Sequence, residues 1–60
     1  MTVTGSDITD KVVASFEAQA AEFDGNAVTA KWLGMDGDAV FWSVRADQER
    51  ALAALHRAKG

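Results

Sequence analysis

The sequence predicts a small α+β domain built as helix, β-hairpin, helix, with both helices on one face of a two-stranded antiparallel sheet. Three observations carry that expectation. Apolar residues recur with helical period from Ile8 to Phe23; two alternating segments, Ala27 to Leu33 and Ala39 to Arg45, meet at Met35-Asp36-Gly37; and helical spacing returns after Asp47.

Met1 to Gly5 reads as a flexible tail, although its alternation around Val3 also suits a small edge strand. Ser6 or Asp7 can cap the first helix, and Asp10 in its first turn sets a negative charge at the positive end of the helix dipole. At about 100° per residue, Ile8, Val12, Val13, Phe16, Ala20 and Phe23 share an arc of roughly 140°, the stripe expected to face the core, with Gln19 the one strongly polar residue inside it. Asp24-Gly25-Asn26 then reads as the stop, with Gly25 in the left-handed position after the last turn.

Register in the hairpin follows from the alternation, because directly opposed residues of an antiparallel pair share a face. A two-residue Asp36-Gly37 turn splits the apolar sets between opposite faces. A three-residue loop, Met35-Asp36-Gly37 with Gly37 left-handed, sets Trp32 against Val40, Ala30 against Trp42 and Val28 against Val44, and is the predicted choice. Those six residues become the core face. The reverse face then carries Leu33 with Ala39, Lys31 with Phe41, Thr29 with Ser43 and Ala27 with Arg45. Asp47 is the expected N-cap of the last helix, which runs to about Lys59 on a thin apolar side of Leu52 and Leu55 flanked by Ala51, Ala54 and Ala58. Glu49, Arg50, Ala53, His56 and Arg57 are expected to point away from it.

Sixty residues make one domain, near the lower size limit for folding without a staple. With no cysteine there is neither a disulfide nor a thiolate to bind metal or attack a substrate. Two strands also leave two open edges, so dimerisation into a four-stranded sheet is an attractive completion. The net charge of −3 argues against a general affinity for nucleic acid or anionic membrane. Its distribution is uneven. Residues 1 to 44 hold seven acids against Lys11 and Lys31, a net of −5, whereas from Arg45 onward four bases oppose Asp47 and Glu49, a net of +2. No basic region followed by an apolar run marks a secretory signal and no stretch approaches a membrane span, so a cytoplasmic location is the default expectation.

The inventory gives catalysis little support. His56 is the sole histidine, which removes His-pair and Cys/His zinc sites within one chain, and Asp36 and Asp38 lack the further oxygen ligands of a calcium loop. Ser6, Ser15 and Ser43 have only His56 as an imidazole base, and no glycine-rich phosphate loop is present. No cofactor, metal or catalytic residue is therefore expected. What the hairpin leaves over is its reverse face, where Leu33 and Phe41 stand beside Lys31, Ser43 and Arg45, and these five are the predicted partner-binding residues. The sequence thus points to a small non-enzymatic protein–protein interaction or regulatory module, acting on another protein or on a second copy of itself. A nucleic-acid-binding regulatory domain using that face and the basic C-terminal helix is the alternative.

Overall fold

The computed structural model describes the backbone of residues 5–59 and side chains from Ile8 onward, and it holds two helices: α1 spans Gly5–Trp32 and α2 spans Asp36–Lys59. They lie side by side and antiparallel, joined by a three-residue turn, in a body 50 × 20 × 8 Å across its principal axes. Among the described residues there is no strand. The predicted α+β class is therefore corrected to all-α, and the two-stranded sheet, its register and its four-stranded extension fall with it. Gly5, predicted as the end of the tail, begins α1, and the rest of the tail and the strand around Val3 lie outside the described residues.

The physical reason is a repeat that runs through the region read as a hairpin. Along α1 the inward stripe is Thr9, Val13, Phe16, Ala20, Phe23, Ala27 and Ala30, with Val12 and Asp24 half-buried beside it; along α2 it is Ala39, Trp42, Ala46, Glu49, Ala53 and His56. Both lists alternate steps of three and four, the spacing that keeps one stripe of each helix against a neighbour. One position of the repeat is small in α2, with Ala39, Ala46 and Ala53, and the other is large, with Trp42, Glu49 and His56. Small seam residues let the backbones approach toward the lower end of the ~8–10 Å range for packed helices. The buried core is accordingly slight: Val13, Ala20, Ala30, Ala46 and Ala53. Larger side chains lock the seam at intervals, Phe16 stacking on His56 with centroids 5.2 Å apart and Phe23 tilting against Trp42 at 5.3 Å.

The turn is set by Gly34 rather than Gly37. Gly34 has φ 76°, the one positive-φ glycine among the described residues. Its N–H donates to the Lys31 carbonyl at 3.1 Å, and the Met35 N–H reaches back to the Ala30 carbonyl at 2.8 Å. This pair of bonds is the Schellman ending, which uses a left-handed residue to satisfy carbonyls that the stopped helix leaves open. The Met35 carbonyl then accepts the Ala39 N–H at 2.9 Å, opening α2. Asp36 and Asp38 consequently sit in the first turn of α2, where their charge suits the dipole, instead of flanking a hairpin bend.

Asp24-Gly25-Asn26 does not stop α1, and Asp47 does not start a helix. Gly25 keeps a helical φ, and the Thr29 hydroxyl donates to its carbonyl at 3.0 Å inside the continuing helix. Asp47 lies in mid-helix, where Arg50 donates to it.

Candidate functional site: an uncovered apolar face

The predicted core face is mostly outside. Of its six residues Ala30 is buried and Trp42 is half-buried, while Val28, Trp32, Val40 and Val44 are exposed, Trp32 at 85% and Val40 at 63%. The cause is the change of period: residues that alternate along a strand are scattered around a helix, and only Ala30 and Trp42 coincide with the seam. The last helix is inverted in the same way. Ala53 is buried and His56 faces Phe16, whereas Leu52 and Leu55 are exposed. In the predicted stripe of the first helix Val13, Phe16, Ala20 and Phe23 do face inward and Val12 is half-buried, but Ile8 is exposed.

The five predicted partner residues are all exposed, but the hairpin divides them. Lys31 and Ser43 line one groove between the helices, together with Ala27, Val28, Val40 and Val44. Leu33 belongs to the opposite groove, with Met35 and Trp42. Phe41 meets Trp42 edge-on at 5.1 Å, and the Arg45 guanidinium lies 5.7 Å from the Phe23 ring centre and 5.9 Å from that of Phe41. Arg45 thus spreads over part of the aromatic surface on its side.

The first groove encloses about 500 Å³ and has no such cover. Val28 forms its apolar ridge on α1 and Val40 and Val44 its ridge on α2, while Trp32 lines a neighbouring concavity that shares Val28 and Lys31. Its rim is charged with both signs, Lys31 on α1 and Asp36 and Asp47 on α2. Toward the chain ends the same side is closed by two cross-helix ion pairs, Arg50 donating to Asp24 at 2.7 Å and Arg57 to Glu17 at 3.2 Å, and Arg50 also donates to Asp47 of its own helix at 2.6 Å. Glu17 and Asp24 are seven apart, as are Arg50 and Arg57, so the pairs repeat with the seam and stay on one side of it. The hydrogen bond donated to Asp24, then that to Asp47, raises the Arg50 guanidinium above its ordinary pKa. Val28, Trp32, Val40 and Val44 are the residues that the sequence reading missed as surface. The signal that finds them is negative: with Ile8, Leu33, Met35, Phe41, Leu52 and Leu55, they are among the large apolar residues left over once the three-four repeat is assigned.

These elements define a class, an antiparallel helical hairpin with an alanine-rich seam and an apolar face at its turn end. Comparison with protein-family models, curated proteins and solved structures finds no match. Among the described residues no group of three or more His, Asp or Glu side chains is placed to hold a metal ion, and no helix is long and apolar enough to cross a membrane.

Proposed function

We propose that the chain is a non-enzymatic protein–protein interaction module whose hairpin presents an apolar face to a protein partner. One observation carries this reading: the inside of the hairpin is built mainly from alanine, while Val28, Val40 and Val44 line one uncovered groove and Trp32 is exposed in the concavity beside it. Monomeric proteins rarely leave such contiguous apolar patches in water, and larger ones mark interaction sites. The radius of gyration, 14.4 Å, exceeds the roughly 10 Å of a compact chain this long, as fits half of a larger core.

Nucleic-acid binding draws no support from the arginines of this fold, because Arg50 and Arg57 are engaged by acids and Arg45 by aromatic rings. A cytoplasmic setting suits a chain without cysteine. The test is association of the immobilised chain with itself and with native extract, comparing the wild type with Val44→Glu. Val44 is exposed, so helicity by circular dichroism is expected to persist while association falls; association that is unchanged refutes the reading.

A further inference from the structure

We infer that the hairpin opens at Gly34 into one continuous helix and pairs antiparallel with a second opened copy, along a stripe that the closed form leaves outside. The surface concerned is the back of α2 rather than the groove described above, so a failure here leaves the interaction reading untouched. The inward stripe of α1 ends at Ala27 and Ala30. Its alternation of threes and fours, carried on through the turn, reaches Gly34 and Gly37 and then Phe41, Val44, Gln48, Ala51, Leu55 and Ala58. Those last six are all exposed, because the closed hairpin uses the α2 stripe that lies two residues out of step with them. The stripe left outside is the more apolar of the two: its one polar residue is Gln48, where the stripe in use carries Glu49 and His56. A straight helix brings both halves of the α1 register onto one line and turns Glu49, Arg50, His56 and Arg57 outward. The change needed is confined to the turn. Only Leu33, Gly34 and Met35 stand between the helices, with no proline among them, and once they are helical the ordinary i to i−4 bonds replace the Schellman pair.

Charge selects the partner and its direction. Every seventh residue from Asp10 lies on one flank of the continuous stripe: Asp10, Glu17 and Asp24 are acidic, Lys31 and Asp38 sit at the centre, and Arg45, Leu52 and Lys59 follow. Flanking charges set partner and orientation in paired helices, and in an antiparallel pair of identical chains each flank meets its own image. With Phe16 level with the partner's Leu55 and Ala30 with the partner's Phe41, Asp10 meets the partner's Lys59, Asp24 the partner's Arg45 and Lys31 the partner's Asp38, each twice. The flank is thus its own complement, and small seam residues of one copy face large ones of the other. Sliding by one heptad sets Lys31 on Lys31 and Asp24 on Asp38, or Asp38 on Asp38 and Lys31 on Arg45. A parallel pair forms no opposite-charge contact at its flanks. In the closed hairpin Lys31 and Asp38 are held apart, in opposite grooves.

The experiment follows wild type and variants by sedimentation equilibrium up to about 1 mM chain, with small-angle scattering and circular dichroism in parallel. Opened, Gly5–Lys59 forms a helix about 80 Å long at 1.5 Å per residue, against 50 Å for the closed form. Gly34→Ala penalises the left-handed turn and favours the straight helix in both chains, so dimerisation should strengthen by at least about a hundredfold over wild type. The product should be a dimer about 80 Å long with undiminished helicity. At concentrations where chains stay single, the same substitution only weakens the hairpin. On the Gly34→Ala background, Leu55→Glu should weaken dimerisation about a hundredfold, since a charge enters the stripe twice, while Val28→Glu, in the groove and off the stripe, should not. Lys31→Glu and Asp38→Lys should each weaken it about tenfold, and the two together in one chain should largely restore it. A Gly34→Ala chain that stays monomeric, or that loses its helices at every concentration, overturns the inference. So does a dimer only 50 Å long, which is a pair of closed hairpins, a dimer indifferent to Leu55→Glu, or a double swap weaker than either single change.

Discussion

Replacing glycines one at a time separates the two-helix hairpin from a helix–strand–strand–helix chain by sign alone. In the hairpin Gly25 is helical and a Cβ added there meets no atom within 4 Å. Alanine at this site therefore gains helix propensity, about 1 kcal/mol, with no opposing clash. For a domain this small that corresponds to a rise in Tm of roughly 4–8 °C. Gly37, in the first turn of α2 and equally open, should shift the same way by less. Gly34 is the opposite case: it also has open space, so the whole penalty of Gly34→Ala comes from its φ of 76°, about 1–2 kcal/mol for an L-residue held left-handed. Thermal and urea unfolding followed at 222 nm, at one fixed chain concentration, reads all three. In the strand-containing alternative Gly25 ends a helix and Gly37 closes a bulge, so both alanines destabilise and Gly34→Ala is close to neutral. Loss of stability in Gly25→Ala and Gly37→Ala would refute the hairpin.

Other perturbations test the seam and the ion pairs. Ala46 is fully buried, and Ala46→Leu should cost about 1–3 kcal/mol by forcing the helices apart, whereas Ala51→Leu on the exposed side should change stability by less than about 0.5 kcal/mol. Arg50→Gln removes exposed bonds to Asp24 and Asp47 and should lower Tm by less than Gly25→Ala raises it, an effect that fades at 1 M salt, where screening acts within about 3 Å. Because the Arg50 pKa is raised, its contribution is fully present below the unfolded value and is lost only as pH rises through the folded one, in strong alkali; no change traceable to Arg50 is expected between neutral and acid pH. Trp32 is exposed and Trp42 half-buried, so acrylamide should quench two populations in dilute solution, and Trp32→Phe should remove the more accessible one.

How much of this was legible depends on where the repeat is interrupted. Val13, Phe16, Ala20 and Phe23 already follow steps of three and four, and the series continues without a gap to Ala27 and Ala30. Asp24-Gly25-Asn26 hides the continuation because it carries stop signals, while Val28, Thr29 and Trp32 favour strands. Extending an existing helix needs no new nucleus, however, and with no proline in the way the glycine cost of about 1 kcal/mol is offset by burying the next two seam alanines. In α2 the seam is masked differently: Glu49 and His56 occupy inward positions, so the bulkier Leu52 and Leu55 attract the assignment to the wrong stripe. The hairpin register groups all five partner residues on one face; the helical period instead sets Lys31 and Ser43 in one groove, Leu33 in the opposite one, and Arg45 over Phe41.

The alanine seam also has a thermodynamic consequence that links the fold to its partner. Burying a large apolar side chain is worth about 1.5–3 kcal/mol and a single methyl or methylene roughly 0.8, so a hairpin closed over Ala20, Ala30, Ala46 and Ala53 is held weakly by its own seam. Larger gains remain in the exposed apolar side chains, Val28, Trp32, Val40 and Val44 among them, and are realised only when these are covered. If a second copy covers them, folding and association become one equilibrium, and each tenfold dilution removes about 1.4 kcal/mol per mole of dimer. Tm should then fall steadily as the wild type is diluted a hundredfold, while Val44→Glu, lacking the dimer, should melt lower and at the same temperature throughout. A wild-type Tm independent of concentration would show that the alanine seam suffices by itself, and the exposed valines would have no part in holding the fold.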